Sequence, residues 1–349
     1  MRRMPIPIDD AVRTLTWAHG RVEVQRLGAM VGPVVFRAPG RVDFAPMHVA
    51  PWAGEPGTDE LPAILRRLRG EWPCVPFGRV DPVADLPPGW TALRPGDEWG
   101  HGYGSHHAWS WVPTDDPLAL CLSLPYPPGS AVHRLTRTIS AVADSPALDI
   151  SLRVEVRRRC RLPVALHPTV RLDLGSLALR VPHRGECLSY PVCTHPDVSR
   201  LQLDARFASL SRAPTAEGRE IDLSRYPQAV DSEELVQVLD VTGPVELDYL
   251  EQGWTLELAW DLASLPDVML WVSHRGRHHA PWNGRHLALG VEPLNSVFDL
   301  ARVAAPPRDH PLAARGGVAL DPAHPWVTRY SLRGVARQVQ AGGAWTPRA

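Results

Sequence analysis

Short segments in which apolar and polar residues alternate strictly constrain the fold of this chain most. In residues 148–156, leucine, isoleucine and valine occupy every second position, and Asp149, Ser151, Arg153 and Glu155 stand between them. A repeat of two residues places alternate side chains on opposite faces of an extended strand, so one face of this segment is buried and the other meets water. Similar segments recur between glycines and prolines along most of the chain. The pattern predicts an all-β protein built from antiparallel strands.

The predicted strands are numerous, and helical spacing is rare. The strands are residues 21–27, 32–37, 118–124, 131–139, 148–156, 169–174, 177–181, 245–250, 254–260, 268–273, 286–292 and 327–335. Residues 60–69 are the best predicted helix, because three leucines and Ile64 recur there at helical spacing. Residues 194–234 are rich in Arg, Ser, Pro and Asp, and we expect long loops over a sheet there. This set of elements predicts two stacked antiparallel sheets with few short helices.

The length of 349 residues fits either one large β domain or two smaller ones. Because we interpret residues 194–234 as loops and not as a linker between domains, we expect one large β-sandwich over residues 1–337. Residues 338–349 are rich in Ala, Gly, Thr and Pro, and we expect a loose C-terminal tail there.

The net charge and the cysteines indicate which partners and which cellular compartment this protein is expected to have. Lys and Arg together number 37 against 38 Asp and Glu, and the formal net charge of −1 favours neither nucleic acid nor an anionic membrane as a partner. No export signal or segment able to span a bilayer is visible. Five cysteines without a CxxC pair argue against a disulfide framework or a structural zinc site. We therefore expect a cytoplasmic protein with a small-molecule partner, and its oligomeric state is unknown from the sequence.

Residues 97–111 have the composition of a binding site. Glycines alternate there with aromatic and titratable residues, namely Trp99, Trp109 and Trp111 with His101, His106 and His107. Indole faces stack on the C–H faces of sugars, and imidazoles donate and accept hydrogen bonds near neutral pH. The segment predicts a wall that binds a sugar.

Two other titratable residues stand at the ends of apolar strands, each directly before a proline. His167 precedes Pro168 within the sequence Val-Ala-Leu-His-Pro, and Glu292 precedes Pro293 within Leu-Gly-Val-Glu-Pro. A titratable group at such a position is costly to desolvate unless it has a partner or a chemical role. Both residues are therefore candidates for acid and base chemistry.

Taken together, these motifs resemble those of the aldose 1-epimerase (mutarotase) family and its galactose mutarotase-like relatives. The resemblance is carried by His-Gly-Tyr-Gly at 101–104 followed by Trp109, by Leu-His-Pro at 166–168, and by Val-Glu-Pro-Leu at 291–294. The motifs occur in the order of the family and extend the resemblance over about residues 20 to 305. It implies an antiparallel β-supersandwich that holds a sugar in an open cleft on one sheet.

The resemblance also implies catalytic roles. His167 is expected to act as the general acid that protonates the ring oxygen, and Glu292 as the base that takes the proton of the anomeric hydroxyl. His101 is expected to hold the substrate. Opening a hemiacetal needs one proton removed and one delivered, so we expect neither a metal nor an organic cofactor.

Further substrate-binding residues are expected around this centre. They are His106, His107, Trp109 and Trp282 as stacking or hydrogen-bonding partners, Asp248 as the acid that binds sugar hydroxyls, and Arg79 and Arg285 as ligands of a phosphate on the sugar. The chain departs from the family at Leu166, where the family often has asparagine, and at Pro168-Thr169, where an aromatic residue often follows. These departures leave the identity of the sugar open.

Structural interpretations of the same residues remain open. His167 can cap a carbonyl group, Glu292 can pair with Arg285, and Trp271, like Trp254 and Trp260, is expected in the core. A second histidine group at His274, His278 and His279 can ligate a metal, although an exposed polar loop is the favoured interpretation.

Functional alternatives also remain open. They are a carbohydrate-binding module without catalysis, and a polysaccharide lyase or glycoside hydrolase on the same fold. A hydrolase usually needs two carboxylates, and only Glu292 has a motif around it.

Overall fold

The computed structural model describes residues 11–96 and 99–337, and the predicted tail at 338–349 lies outside this part. The strands of the described residues are β1 (Val12–Trp17), β2 (Gly20–Gln25), β3 (Val31–Phe36), β4 (Pro73–Cys74), β5 (Thr91–Ala92), β6 (Ser110–Val112), β7 (Ala119–Pro125), β8 (Val132–Ala141), β9 (Ala147–Val156), β10 (Cys160–Leu162), β11 (Val164–Leu166), β12 (Thr169–Arg171), β13 (Leu177–Arg180), β14 (Cys187–Ser189), β15 (Arg206–Phe207), β16 (Ala213–Pro214), β17 (Glu220–Ile221), β18 (Arg225–Tyr226), β19 (Ser232–Val238), β20 (Val245–Tyr249), β21 (Trp254–Trp260), β22 (Asp267–His274), β23 (Leu287–Asn295), β24 (Ala304–Ala305), β25 (Val318–Leu320) and β26 (Trp326–Ala336). The helical segments are α1 (Ala63–Arg66) and four 3-10 turns at Thr58–Glu60, Tyr103–His106, Leu210–Arg212 and Pro311–Ala314.

Two large antiparallel sheets dominate the architecture. The first, sheet A, has the strand order β15-β14-β19-β22-β23-β11-β4, and β12 pairs with β23 as an eighth strand. The second, sheet B, has nine strands in the order β18-β13-β20-β21-β26-β9-β8-β7-β6. A separate sheet of β1, β2 and β3 packs its valines into the same core. The predicted all-β sandwich with few short helices is confirmed.

The two faces of sheet A have different surroundings. On β22, Val268, Leu270 and Val272 belong to the apolar core shared with sheet B. The alternate residues Met269 and Trp271 pack into a second apolar cluster on the other side of the sheet. This second cluster consists largely of loop residues, so the outer face of sheet A is covered by loops rather than by another sheet. Side chains on this outer face, together with those of the covering loops, can form a binding or catalytic site.

The predicted helix over residues 60–69 is wrong except for its middle turn. Only Ala63–Arg66 is α-helical, and the carbonyl of Leu68 already accepts a hydrogen bond from the Ala50 N–H. Arg69 then forms a β-bridge with Val49. Pairing with a neighbouring segment therefore outweighs the helical preference of the leucines.

The interval 194–234 also differs from the prediction of loops alone. It contains four short strands, β15 to β18, and its end is the start of β19, a central strand of sheet A. Because β19 contains several charged and polar residues, its sequence pattern does not indicate a buried strand. Glu233 accepts hydrogen bonds from Trp271 and Ser273, and Gln237 donates to Asp267. Buried polar residues with such partners are compatible with a central strand.

A buried ion pair connects sheet B to the segment that leads into sheet A. The carboxylate of Glu71 contacts the guanidinium of Arg137 on β8, and neither side chain is exposed to solvent. The hydroxyl of Tyr330 on β26 donates to Glu71 Oε1 over 2.7 Å and accepts a hydrogen bond from Arg137 over 2.6 Å. Both charges therefore have hydrogen-bonding partners, which burial of an ion pair requires.

The part of the chain that the structure describes contains no helix long and apolar enough to cross a membrane. All five cysteines are free thiols.

The Glu71–Arg137 pair makes a testable contribution to stability. We expect Arg137→Ala to lower the free energy of unfolding by about 3–5 kcal/mol, because it leaves the Glu71 charge buried without its partner. The matched control is Arg153→Ala, which removes a half-exposed arginine paired with Glu155 and is expected to cost less than about 1 kcal/mol. Denaturant unfolding measures both values. Equal losses of unfolding free energy in the two variants would contradict a stabilising role of the Glu71–Arg137 pair.

Candidate active site

The structure brings His167 and Glu292 into contact on the outer face of sheet A. Nε2 of His167 lies 3.3 Å from Oε1 of Glu292, and both side chains are buried. Neither carboxyl oxygen of Glu292 forms a well-directed hydrogen bond within the described residues. A buried carboxyl group without such bonds is costly, and it is more typical of a reactive site than of a structural one.

Backbone pairing fixes the positions of both residues. Glu292 lies on β23 opposite Met269 of β22, and His167 follows β11, which pairs with the end of β23. The His167 N–H donates to the Trp72 carbonyl over 2.9 Å, and its Nδ1 lies 3.2 Å from the Thr169 hydroxyl. Nε2 of the imidazole is therefore the nitrogen directed at Glu292.

Tryptophans enclose the imidazole of His167. The ring of Trp72 stacks on it with centroids 4.0 Å apart, and the ring of Trp271 stands nearly perpendicular to it at 6.0 Å. Gly290 makes the space for the carboxyl group, because a Cβ at this position would lie 2.6 Å from Oε1 of Glu292. Any larger residue at position 290 would displace the acid.

Burial shifts the pKa values of the two groups in opposite directions. Desolvation raises the pKa of Glu292 well above its usual range, and Coulombic repulsion from Asp299 adds to this effect. Desolvation also lowers the pKa of His167 well below its usual range, and the neighbouring His101 adds to this effect. The pair is therefore favoured in its neutral form, as a carboxylic acid beside an uncharged imidazole.

His101 is the third predicted residue in this centre. Its ring centroid lies 5.7 Å from that of His167 and 5.1 Å from that of Phe77. Burial, with a smaller contribution from the nearby His106, lowers the pKa of His101 to about 4. Gly102 holds the turn close to the neighbouring segment, since a Cβ there would lie 2.3 Å from the Val75 carbonyl oxygen and its φ is +85°. This glycine therefore serves the packing of one backbone segment against another.

Arg79 and Asp299 form a charged group beside the pair. The hydroxyl of Tyr190 donates to Asp299 Oδ1 over 2.6 Å, and Coulombic attraction links Arg79 to Asp299. Desolvation raises the pKa of Asp299, although its Tyr190 hydrogen bond and Arg79 oppose this effect. Arg79 is thus close to the centre, and its role as a ligand of a phosphate on the sugar stays a prediction.

A second charged group borders Trp271. Nη2 of Arg277 lies 2.6 Å from Oε1 of the buried Glu233, and its guanidinium carbon lies 5.3 Å from the Trp271 ring centroid. The Trp271 Nε1–H donates to the same Glu233 oxygen over 2.6 Å. Glu233 therefore fixes both the indole that faces His167 and an arginine that is 30% exposed.

Several predicted binding residues lie elsewhere. Trp109 is fully buried in the core and donates to the Gly104 carbonyl, so it offers no face to a ligand. Asp248 is on sheet B, where it contacts Thr255 and Arg337. Arg285 pairs with Glu55 at the surface, which also removes it as the partner of Glu292.

The other three predicted residues lie at the margins of the centre. His106 bonds to the Gly100 carbonyl, and His107 bonds to the Tyr103 carbonyl while stacking on the Tyr103 ring at 3.5 Å. Trp282 is buried at 6.0 Å from Trp271, and the guanidinium of Arg277 lies over it. Trp282 thus borders the centre through its contacts with Trp271 and Arg277.

The sequence interpretation missed Trp72, Trp271, Glu233, Arg277 and Asp299. Trp271 is buried in an apolar cluster as expected, but the alternation along β22 places it on the face of Met269, opposite Leu270 and on the side of His167. The alternation along β22 could therefore have predicted the position of Trp271 from the sequence. Trp72 and Arg277 lie in loops, and no local pattern marks them.

No group of three potential metal ligands occurs within residues 11–96 and 99–337. Of the second histidine group, His274 is buried at the end of β22, and His279 stacks on His195 at 5.8 Å. The group therefore does not converge on one point.

Comparison with known proteins identifies the fold. No protein-family model matches the chain, and no curated protein is similar to it in sequence. A candidate aldose 1-epimerase from Escherichia coli K12 has a TM-score of 0.61 at 15% identity, covering 93% of this chain and 99% of the other. A GalM/aldose epimerase homologue from C. elegans has a TM-score of 0.59 at 13% identity, covering 94% and 99%. A galactose mutarotase-like protein from Lactobacillus casei ATCC 334 has a TM-score of 0.58 at 12% identity, covering 93% and 100%. The galactose mutarotase-like fold is thereby confirmed.

The raised pKa of Glu292 predicts how stability depends on pH. Between the ordinary carboxyl pKa of 4.5 and the raised folded value, only the unfolded chain has lost this proton, so stability falls as pH rises. Glu292→Gln removes the carboxyl group and with it this dependence of stability on pH. We expect the variant to have a larger free energy of unfolding than the wild type at pH 8. Above the ordinary carboxyl pKa, this difference is expected to grow by at most about 1.4 kcal/mol for each unit of pH.

Thermal and denaturant unfolding between pH 4 and 8 measure this difference. Glu217→Gln, at an exposed carboxylate paired with Arg219, is the control for loss of a surface carboxyl group. Parallel pH profiles for the wild type and Glu292→Gln would show that Glu292 is ionised in the folded protein, contrary to the assignment.

Proposed function

We propose that this protein is an aldose 1-epimerase-like isomerase that interconverts the α and β anomers of an aldose or a modified sugar. The observation that supports the proposal best is the buried contact of 3.3 Å between Nε2 of His167 and Oε1 of Glu292. The ring oxygen and the anomeric hydroxyl of an aldose are bonded to the same carbon. An acid and a base that serve both oxygens must therefore be close neighbours, as these two groups are.

The pair can exist in two forms that differ by the position of one proton. When His167 carries it, the imidazolium donates to the ring oxygen while the Glu292 carboxylate removes the proton of the anomeric hydroxyl. The ring then opens, and the proton remains on Glu292 beside a neutral imidazole. After rotation about the bond between C1 and C2, Glu292 returns a proton to the aldehyde oxygen and His167 accepts one as the ring closes. The cycle leaves the pair unchanged.

The empty site favours the second of these forms, because burial disfavours both charges. Binding of a sugar would bring hydroxyl dipoles next to the pair and lower the cost of the charged form. Since the pair needs one proton in total, kcat/KM is expected to fall at low pH, where His167 and Glu292 are both protonated, and at high pH, where both have lost their protons.

Neighbouring residues supply binding. In the proposed complex His101 contacts the substrate beside His167, and the indole of Trp271 stacks on a sugar face. Arg79, Asp299 and Arg277 offer donors and acceptors to the remaining hydroxyls. Trp109, Asp248 and Arg285 are left out of this assignment because of their positions in the fold.

Polarimetry tests the proposal. Freshly dissolved α-aldoses and aldose phosphates are followed with and without the protein, and at least one is expected to reach its anomeric equilibrium faster. Glu292→Gln and His167→Ala should each lower kcat by about 10²–10⁴-fold, because each removes one proton-transfer group. His101→Ala should raise KM and lower kcat together.

Asp248→Asn is the control, since this residue lies on sheet B away from the pair, and it should leave the rate unchanged. The absence of acceleration over buffer for the whole panel would contradict the proposal. Binding of a sugar by calorimetry that His101→Ala weakens, without acceleration of mutarotation, would instead identify a carbohydrate-binding module.

One observation favours a second function, glycoside hydrolysis. Asp299 is close enough to Glu292 to raise its pKa by Coulombic repulsion, so the centre contains two carboxyl groups with shifted pKa values. Hydrolases use such pairs. Release of new reducing ends from neutral oligosaccharides, abolished by Asp299→Asn, would support hydrolysis over epimerisation. No release from any oligosaccharide would exclude this second function.

A further inference from the structure

A cavity lies beside the candidate active site and shares no residue with it. The cavity has a volume of about 320 Å³, and Pro33 and three short segments line it. The lining residues are Pro33, Ala45, Met47, His48, Val49, Pro51, Arg171, Asp173, Arg285 and Leu287. Small-molecule sites have volumes of roughly 300–1,000 Å³, so this cavity has room for a small ligand.

The charged groups of this cavity are internally balanced. Arg171 forms two hydrogen bonds to Asp173, of 2.8 and 2.9 Å. Arg285 likewise binds both carboxylate oxygens of Glu55, which lies next to the lining segments. Burial lowers the pKa of His48 to about 4, so this imidazole is uncharged at neutral pH. The titratable groups that face the cavity therefore carry no net charge.

This arrangement has the chemistry of a site for a neutral polyhydroxy compound. The paired arginines still have N–H donors and the carboxylates still have free lone pairs, so the walls can both donate to and accept from hydroxyl groups. Their side chains are about one-third to one-half exposed, which leaves these groups accessible. Met47, Leu287 and the prolines supply an apolar surface for C–H groups. An anion would gain little here, because each guanidinium already has a carboxylate.

Ring contacts separate the cavity from the acid–base pair. The imidazole of His48 contacts that of His286 at 4.4 Å, His286 contacts Trp271 at 5.4 Å, and Trp271 reaches His167 at 6.0 Å. A ligand in the cavity therefore has these aromatic rings between itself and Glu292. Occupation of the cavity does not require occupation of the active site.

We propose that the cavity lined by Met47, His48, Arg171, Asp173 and Arg285 is an accessory binding site for an uncharged sugar unit. The site is independent of the proposed epimerase activity, because it does not use an anomeric hydroxyl. Sugars that lack this hydroxyl, such as trehalose and methyl α-glucoside, bind here without being substrates of the acid–base pair.

Two methionines report separately on the two sites. Met47 lines the cavity, whereas Met269 lies opposite Glu292 on the outer face of sheet A. Met30 is fully buried and serves as the internal reference. In protein labelled with ¹³C at the methionine methyl groups, titration with trehalose or methyl α-glucoside is expected to shift the Met47 resonance in a saturable manner. Substitution of Met47 by leucine assigns the signal.

Arg285→Gln should weaken this binding by about tenfold, as expected for the loss of hydrogen bonds to a charged group. Arg212→Gln is the matched control, because Arg212 forms the same two-bonded surface pair with Glu220 outside the cavity. Inorganic phosphate should neither shift Met47 nor compete with trehalose.

Each contrary outcome overturns the accessory site. An unchanged Met47 signal with both sugars, a shift of Met269 alone, or equal weakening by Arg285→Gln and Arg212→Gln would each do so. Displacement of trehalose by phosphate would show an anion site instead. None of these results depends on whether the protein accelerates mutarotation, so the failure of one proposal is distinguishable from the failure of the other.

Discussion

The buried ion pair of Glu71 and Arg137 is the interaction on which the geometry of the candidate active site depends. It connects a strand of sheet B to the segment directly before Trp72, and Tyr330 completes the hydrogen bonds of both charges. Trp72 in turn stacks on His167 and accepts the hydrogen bond of its backbone N–H. A polar contact deep in the protein thus determines where an aromatic ring lies on the outer face of sheet A. The imidazole is held by that ring and by its own backbone.

The same outer face illustrates how a β-sandwich builds a reactive site. Its inward residues fill the core shared by the two sheets, so the alternate residues are free to be polar. Loops cover them, and this cover desolvates Glu292 and His167 and shifts their pKa values in opposite directions. Burial of these groups without well-directed hydrogen bonds lowers the stability of the folded protein. The proposed proton exchange with a sugar is the function that would explain their retention.

The fold and the chemical centre were largely predictable from the sequence, for different reasons. Strict alternation, as in β9, determines strand and face locally, and the following prolines singled out His167 and Glu292, although β23 does not end at Glu292 as expected but continues to Asn295. The surroundings of the pair were not predictable, because Trp72, Arg277 and Asp299 reach it through loops. The helix over 60–69 failed because the pairing of Leu68 and Arg69 with residues 49–50 outweighed the helical spacing of the leucines. Trp109 and Asp248 have suitable chemistry, but strand packing places them away from the pair.

The central claim is that His167 and Glu292 share one proton, which rests on the carboxyl group when the site is empty. Difference infrared spectroscopy of the wild type against Glu292→Gln at neutral pH tests this most directly, because the C=O stretch of a protonated carboxyl is separate from the bands of a carboxylate. The account predicts that the wild type has one additional protonated-carboxyl band. A carboxylate signal in its place at neutral pH would contradict the account.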